Sequence, residues 1–256
     1  MQLLVSVGNA TEALAALQGG ADLIDAKDAH SGALGAVSPE TLSQIHAAIA
    51  SRRPVTAALG DASDETAIED KARNFSNAGA AFVKVGFAGI SSTSRVRDLI
   101  RAATRGARAG QHHTALVAVA YADADQVGSL APPSVAEIAA DAGADGLLID
   151  TADKSGPGLV GLVEPRTLAA WVEGSHRDGL FVALAGKLTS DDLGLVCDTG
   201  ADIAGVRGAA CDGGRIGHVV ADRVRLLREQ CGTGVQTPST YALWESPVTA
   251  ARTAPS

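Results

Sequence analysis

Lys27 closes the apolar run Leu23-Ile24-Asp25-Ala26-Lys27, two residues after Asp25, and strand alternation puts both side chains on one face. Three other runs carry charge at matching positions. Counted from Gly20, Gly79, Gly143 and Gly200, offsets +5 and +7 hold Asp25 and Lys27, Lys84 and Gly86, Leu148 and Asp150, and Gly205 and Arg207. If these runs are strands of one closed sheet, two lysines, two carboxylates and an arginine converge. Buried charges are costly unless paired or used, so the grouping reads as a site; a purely structural ion network is the bland alternative. A lysine crowded by other ammonium groups and partly desolvated loses its proton near neutral pH and becomes a nucleophile. It can attack a carbonyl and form an imine, which turns the substrate into an electron sink without a metal. A second base can then take a proton from the adjacent carbon. Lys27 beside Lys84 meets that requirement, with carboxylates at hand to shuttle protons.

The elements that must position these groups follow from an internal repeat. The segments beginning Gly20-Ala21-Asp22, Gly79-Ala80-Ala81, Gly143-Ala144-Asp145 and Gly200-Ala201-Asp202 are spaced by 59, 64 and 57 residues. Each glycine ends a helical stretch and opens a short apolar strand. Further strands read as Leu3 to Val7, Val55 to Gly60, Thr114 to Tyr121 and Leu180 to Gly186. Alanine-rich stretches of helical period fall at about 10–18, 39–50, 64–78, 92–109, 133–142, 165–178, 189–199 and 216–230. Eight strands alternating with eight helices predict a parallel sheet, and four βαβα units predict a single-domain TIM (β/α)8 barrel. A doubly wound open sheet is the runner-up. The offset +3 residues, Leu23, Phe82, Gly146 and Ile203, are uncharged, so an apolar lower layer lies beneath a charged upper one. That upper layer stands at the strand C-termini, where this fold builds its active sites.

Loops extend the candidate set. Lys154 follows Asp150 closely, Asp61 ends the third strand, and Lys187 follows the seventh, where a merely solvated lysine is the simpler reading. Gly186, Gly208 and Ala209 are small enough to let a phosphate approach backbone N–H groups, with Arg207 beside them.

Net charge −8 argues against nucleic acid or a membrane surface as partner, while a few cations focused in one cleft still admit an anionic substrate. Cys197, Cys211 and Cys231 are widely spaced, suiting reduced thiols in the cytoplasm. The opening Met1-Gln2-Leu3-Leu4-Val5 reads as a strand, not a signal peptide, and no apolar run reaches the length of a membrane span. The six histidines lack metal-ligand spacing, with His112-His113 expected at the far end of the barrel. No GxGxxG motif is placed for a dinucleotide, so neither metal nor cofactor is expected. The catalytic barrel should span 1–230, and 231–256 reads as a flexible extension, although Tyr241, Leu243 and Trp244 could dock on the barrel or a neighbour.

Taken in order, several motifs resemble those of the (5-formylfuran-3-yl)methyl phosphate synthase family. They are Asp25-Ala26-Lys27, Ser31-Gly32-Ala33-Leu34-Gly35-Ala36, Lys84-Val85-Gly86, Tyr121-Ala122-Asp123-Ala124, Asp150-Thr151-Ala152, Ala183-Leu184-Ala185-Gly186 and Gly205-Val206-Arg207-Gly208-Ala209-Ala210-Cys211. The resemblance spans roughly residues 1 to 230. It implies condensation of two glyceraldehyde 3-phosphate molecules into a furan aldehyde phosphate, with release of phosphate and water, for coenzymes of the methanofuran or methylofuran type. It further implies Lys27 as Schiff-base lysine, Lys84 as proton-abstracting base, and Asp25, Asp150 and Lys154 as the supporting proton-transfer and charge-stabilising set. The phosphate role of Arg207 and its neighbours rests on position. The stretch Asp212 to Arg215 looks shorter than the archaeal pattern, and the tail after Cys231 is an addition. Other readings are a class I aldolase, a sugar-phosphate isomerase, or a non-catalytic barrel binding a phosphorylated metabolite. A homo-oligomer is compatible with any of them.

Overall fold

The computed structural model describes residues 1–232. Eight parallel strands close on themselves in chain order: β1 (Gln2–Val7), β2 (Leu23–Ala26), β3 (Val55–Asp61), β4 (Phe82–Gly86), β5 (Ala115–Tyr121), β6 (Gly146–Asp150), β7 (Phe181–Leu184) and β8 (Ile203–Val206). The seam is β8 against β1, with Leu4 opposite Gly205. Around them run α1 (Ala10–Gln18), α2 (Pro39–Ile49), α3 (Glu65–Asn77), α4 (Thr93–Ala109), α5 (Ala124–Val127), α6 (Pro132–Asp141), α7 (Leu159–Leu162), α8 (Pro165–Arg177), α9 (Leu193–Asp198) and α10 (Ala221–Gln230). The expected (β/α)8 barrel is what the chain builds. Among the described residues no helix is long and apolar enough to cross a membrane. The expected extension falls almost wholly outside the described residues.

The repeat has a local cause. Gly20, Gly79, Gly143 and Gly200 all adopt positive φ, between 82° and 93°, so the chain turns from helix into strand where a side chain would be strained. In three units the aspartate two positions on accepts the N–H of the second residue of the neighbouring strand. Asp22 accepts from Leu3 at 2.8 Å, Asp145 from Leu116 at 2.8 Å and Asp202 from Val182 at 2.7 Å. Ala81 stands at that position in the second unit, where only the backbone link to Val55 remains. Helices α1 to α4 start at Asn9, Ser38, Asp64 and Ser92, whose side chains each accept a first-turn N–H.

The barrel interior is filled low down by Leu4, Leu23, Phe82, Val117, Phe181 and Ile203, with Leu148 packed on them from the layer above. The rings of Phe82 and Phe181 meet with centroids 5.9 Å apart. Gly146 makes room for them, since a Cβ there would sit 2.5 Å from the Phe181 ring. The offset +3 residues thus form the expected apolar floor.

The last quarter departs from periodicity. Residues 189–192 form a turn in which Asp192 accepts from Thr189 N and Oγ1, both at 2.8 Å, so α9 begins later than expected. Between β8 and α10 the chain makes a small hairpin, β9 (Cys211–Asp212) against β10 (His218–Val219). Gly213 and Gly214 adopt positive φ at its tip, and Gly217 lies so close to Asp212 that a Cβ would fall 1.7 Å from its carbonyl oxygen.

Candidate active site

A cavity of about 500 Å³ opens at the C-terminal ends of the strands, a volume typical of a small-molecule site. Seven of its lining side chains are Lys or Arg and two are Asp, on a chain of net charge −8. Positive charge is thus concentrated where the barrel opens.

Register brings the first cluster together. Ser6 on β1 lies opposite Asp25 on β2, and Asp25 lies opposite Thr56 on β3. The Asp25 carboxylate is fully buried and accepts from both hydroxyls at 2.9 Å, while Lys84 reaches it from β4 as an ion pair. Burial alone would push this carboxyl up. The charges of Lys84 and Lys27, with the hydrogen bonds from Lys84 and Thr56, outweigh that and hold it below the usual carboxylate range.

Asp150, at the end of β6, is treated alike by different partners. Lys154 donates to it at 2.7 Å and also to the Thr151 carbonyl, and the Thr151 N–H donates at 2.7 Å. Burial again opposes the charge, yet Lys154 and then Lys27 hold the carboxyl low. Buried Asp123, after β5, accepts the N–H groups of Ala152 and Asp153 at 2.8 Å each. It thereby fixes the backbone that carries Lys154.

Lys27 lies just past β2, 8% exposed, and lines the cavity. Among the described residues its ammonium makes no hydrogen bond and no ion pair, because Lys84 and Lys154 hold the nearby carboxylates. Desolvation lowers its pKa from 10.5 to about 8; the charges of Asp150 and Asp25 resist, and those of Lys84 and Lys154 assist. A neutral amine is accessible here near physiological pH.

Arg207 is placed differently from the expectation of an anion-binding residue. All five of its N–H groups are engaged. Nη1 donates to Glu12 Oε2 at 2.5 Å and Ser6 O at 3.0 Å. Nη2 donates to Glu12 Oε1 at 3.1 Å and Gly217 O at 2.9 Å, and Nε to Arg215 O at 3.0 Å. The guanidinium lines the cavity but keeps no donor for a ligand in this arrangement. Gly208 and Ala209 also line the cavity, and among the described residues their N–H groups meet no protein acceptor. Gly186 adopts φ 108° and faces Thr151 and Leu159 so closely that a Cβ would meet each at 3.0–3.2 Å, so turn geometry and packing already demand glycine. Lys187 does line the cavity, at positive φ, with Nζ donating to the Gly156 carbonyl. Asp61 accepts from the Tyr121 hydroxyl at 2.8 Å and from Ala88 N–H at 2.9 Å, forming a wall beside Gly86.

Sequence reasoning gave no role to Glu12, Ser6, Thr56, Asp123 or Arg215, although Asp123 stands in one of the motifs that carry the resemblance. Ser6 and Thr56 carried a signal: they are hydroxyl residues on the inward face of otherwise apolar strands. Glu12 read only as the first turn of a capped helix, and Arg215 sits in a hairpin that no periodicity announced.

Fold and site together define a (β/α)8-barrel enzyme whose cleft gathers lysines around two buried carboxylates. Solved structures share the architecture: phosphoribosyl anthranilate isomerase from Thermus thermophilus gives TM-score 0.61 at 16% identity, covering 90% of this chain and 98% of that one. 3-Hexulose-6-phosphate synthase gives 0.59 at 20% identity, covering 90% and 99%. Two sequence relatives are nearer. The (5-formylfuran-3-yl)methyl phosphate synthase of Methanopyrus kandleri is 39% identical over 231 residues, 89% of this chain and 98% of its own length. That of Methanocaldococcus jannaschii is 36% identical over 234 residues, 90% and 100%. The family model described as 4-HFC-P synthase matches residues 3–228. The chain belongs to the 4-HFC-P synthase family.

Proposed function

We propose that the chain condenses two molecules of glyceraldehyde 3-phosphate into (5-formylfuran-3-yl)methyl phosphate through an imine on Lys27, supplying a furan coenzyme of the methanofuran or methylofuran type. One observation carries the reading: both carboxylates are held by other lysines, which leaves Lys27 buried, without a direct partner among the described residues and depressed to about 8.

The neutral Lys27 amine adds to the aldehyde carbon, giving a carbinolamine. Lys84, an ammonium paired with Asp25, gives a proton to its hydroxyl, which leaves as water. The Lys84 amine so formed is then the base for the proton on the carbon next to the imine, with Asp25 holding the returning ammonium in place. Asp150 and Lys154 form a second proton-carrying pair on the other side of Lys27. Two glyceraldehyde 3-phosphate molecules exceed the furan product by one phosphate and two waters, so the sequence needs proton transfers and eliminations but no oxidant. The imine supplies the electron sink, and the reading asks for no cofactor. The free N–H groups of Gly208 and Ala209 suit a phosphate oxygen. The free thiols of Cys197, Cys211 and Cys231 fit a reducing compartment, and the reading assigns the reaction to the cytoplasm.

The test is incubation with glyceraldehyde 3-phosphate, following furan absorbance and phosphate release, together with borohydride trapping and peptide mass analysis. A reduced adduct on Lys27 plus furan product is the expected outcome. An adduct without furan would make the chain an aldolase, and product formation without any Lys27 adduct would remove the nucleophile.

A further inference from the structure

We propose that Arg215 is the arginine that binds a substrate phosphate, and that it ties this phosphate to the loop beginning at Lys27. The inference rests on the phosphorylated aldehyde of the preceding section for its ligand. The hairpin β9–β10 carries Arg215 to the cavity, which it lines half-buried. Its Nη2 donates to Ala29 O at 3.0 Å and Gly32 O at 2.6 Å. Both acceptors are neutral carbonyls of the loop between Lys27 and α2. Among the described residues Arg215 makes no ion pair, and Nε and Nη1 meet no protein acceptor. A partly desolvated guanidinium with Nη2 anchored keeps its Nε–H and two Nη1–H donors, each of which can make a single charge-assisted hydrogen bond to a phosphate oxygen.

Its surroundings agree. Arg207 Nε donates to the Arg215 carbonyl at 3.0 Å, so the fully engaged arginine fixes the backbone of the open one. Gly208 lies against Arg215, where an added Cβ would be 3.5 Å from its backbone nitrogen. Among the described residues the N–H groups of Gly208 and Ala209 meet no protein acceptor, and both residues line the same cavity as Arg215. A phosphate held there is bridged through Nη2 to Ala29 and Gly32, and so to the segment that starts at Lys27. Binding of the ester would steady the nucleophile's loop as well as the substrate.

Borohydride trapping at varied aldehyde concentration tests this, comparing glyceraldehyde 3-phosphate with unphosphorylated glyceraldehyde. Arg215→Ala should raise the half-saturating concentration of glyceraldehyde 3-phosphate by roughly 10–100-fold, the worth of a charge-assisted contact, and weaken trapping by glyceraldehyde, which feels only the loosened loop, by no more than about 3-fold. Arg215→Lys should recover part of the loss. Inorganic phosphate should compete with glyceraldehyde 3-phosphate for wild type and fail to do so for Arg215→Ala at the same concentration. Equal loss with both aldehydes would reduce Arg215 to a brace of the loop, and no loss with either would overturn the proposal outright. Wild-type trapping keeps the two readings apart. If wild type forms no Lys27 adduct, the synthase reading fails; if it does and Arg215→Ala behaves identically, only the arginine's role fails.

Discussion

Lys84 on β4 reaches past β3 to the carboxylate of Asp25 on β2, and this ion pair keeps Asp25 from Lys27, which touches no carboxylate among the described residues. Asp25 and Lys27 are two residues apart on one face, so in the absence of Lys84 they would be natural partners. The same substitution of partner occurs at Asp150, which Lys154 occupies. The charged layer is therefore two closed pairs flanking one open amine.

Lys27 titration follows from that arrangement. With a pKa of about 8 in place of 10.5, about one amine in ten is neutral at pH 7, roughly 300-fold more than for an ordinary lysine. The rate of adduct formation on Lys27 should climb with pH and level off just above 8. A midpoint near 10 in a pH series of trapping rates would show that burial does not activate the amine.

Stability should carry the same signature. The unfolded chain binds the Lys27 proton up to about 10.5 and the folded chain only to about 8, so the native state gains stability as pH rises through that window. Lys27→Met removes the buried charge and should stabilise the protein at pH 7 by about 1–3 kcal/mol, while abolishing adduct formation. Thermal melts should show the advantage over wild type shrinking between pH 7 and pH 10. A pH-independent gap would assign the gain to packing instead.

Lys84 and Asp25 should fail singly and partly rescue each other. Lys84→Met leaves a buried carboxylate accepting only from Ser6 and Thr56, and should cost about 3–5 kcal/mol in denaturant unfolding. Adding Asp25→Asn should return most of that stability without returning furan synthesis. Under conditions where Lys84→Met is folded, borohydride should still trap the aldehyde on Lys27, but more slowly, because water must then protonate the departing carbinolamine hydroxyl. Complete loss of trapping in the folded variant would make Lys84 indispensable to imine formation, and its role in the later proton abstraction would then be untenable as the main one.

Glu12 and Arg207 form the other buried pair, and they separate anchoring from anion binding. Arg207→Lys keeps the charge but cannot serve two Glu12 oxygens and three carbonyls at once, so it should destabilise the protein by about 2–4 kcal/mol. Burial opposes the Glu12 charge, but Arg207 and the Gly8 N–H hold this carboxyl below its ordinary range. Its contribution is therefore present above the ordinary range and lost as acid protonates it. Urea titrations at pH 7 and pH 4 should show the wild-type advantage over Glu12→Gln narrowing at the lower pH.

Much of this was legible in the chain, for reasons the structure makes plain. The positive-φ glycines and the strand-capping aspartates Asp22, Asp145 and Asp202 are local devices, so they left a repeat that locates eight strands and the face bearing Lys27, Lys84 and Asp150. Pairing is not local. Arg207 shares an offset with Lys27, yet its partner Glu12 comes from α1 across the β1–β8 seam, nearly the full length of the barrel away in sequence. Arg215 depends on a hairpin made by close backbone approach at Gly217, which no 2- or 3.6-residue period records.

Asp123 offers a final test, because it touches no cavity-lining group yet sets one. Its two oxygens hold Ala152 and Asp153 N–H at 2.8 Å, and Lys154 follows directly on that backbone. Asp123→Ala leaves both N–H groups without an acceptor and frees the segment that aims Lys154 at Asp150. Lys27 lies on β2's own loop and is untouched, so adduct formation should persist within a factor of about 3, the spread of a single weak contact. The later proton transfers depend on the Asp150–Lys154 pair, and furan synthesis should fall by roughly 10–100-fold, the loss expected from a mispositioned proton carrier. Asp123→Asn keeps one acceptor oxygen and should fall between. Single-turnover trapping beside steady-state furan formation separates the two steps. If both decline in parallel for Asp123→Ala, the loop acts on Lys27 itself, and the division of the charged layer into two pairs and an independent amine is wrong.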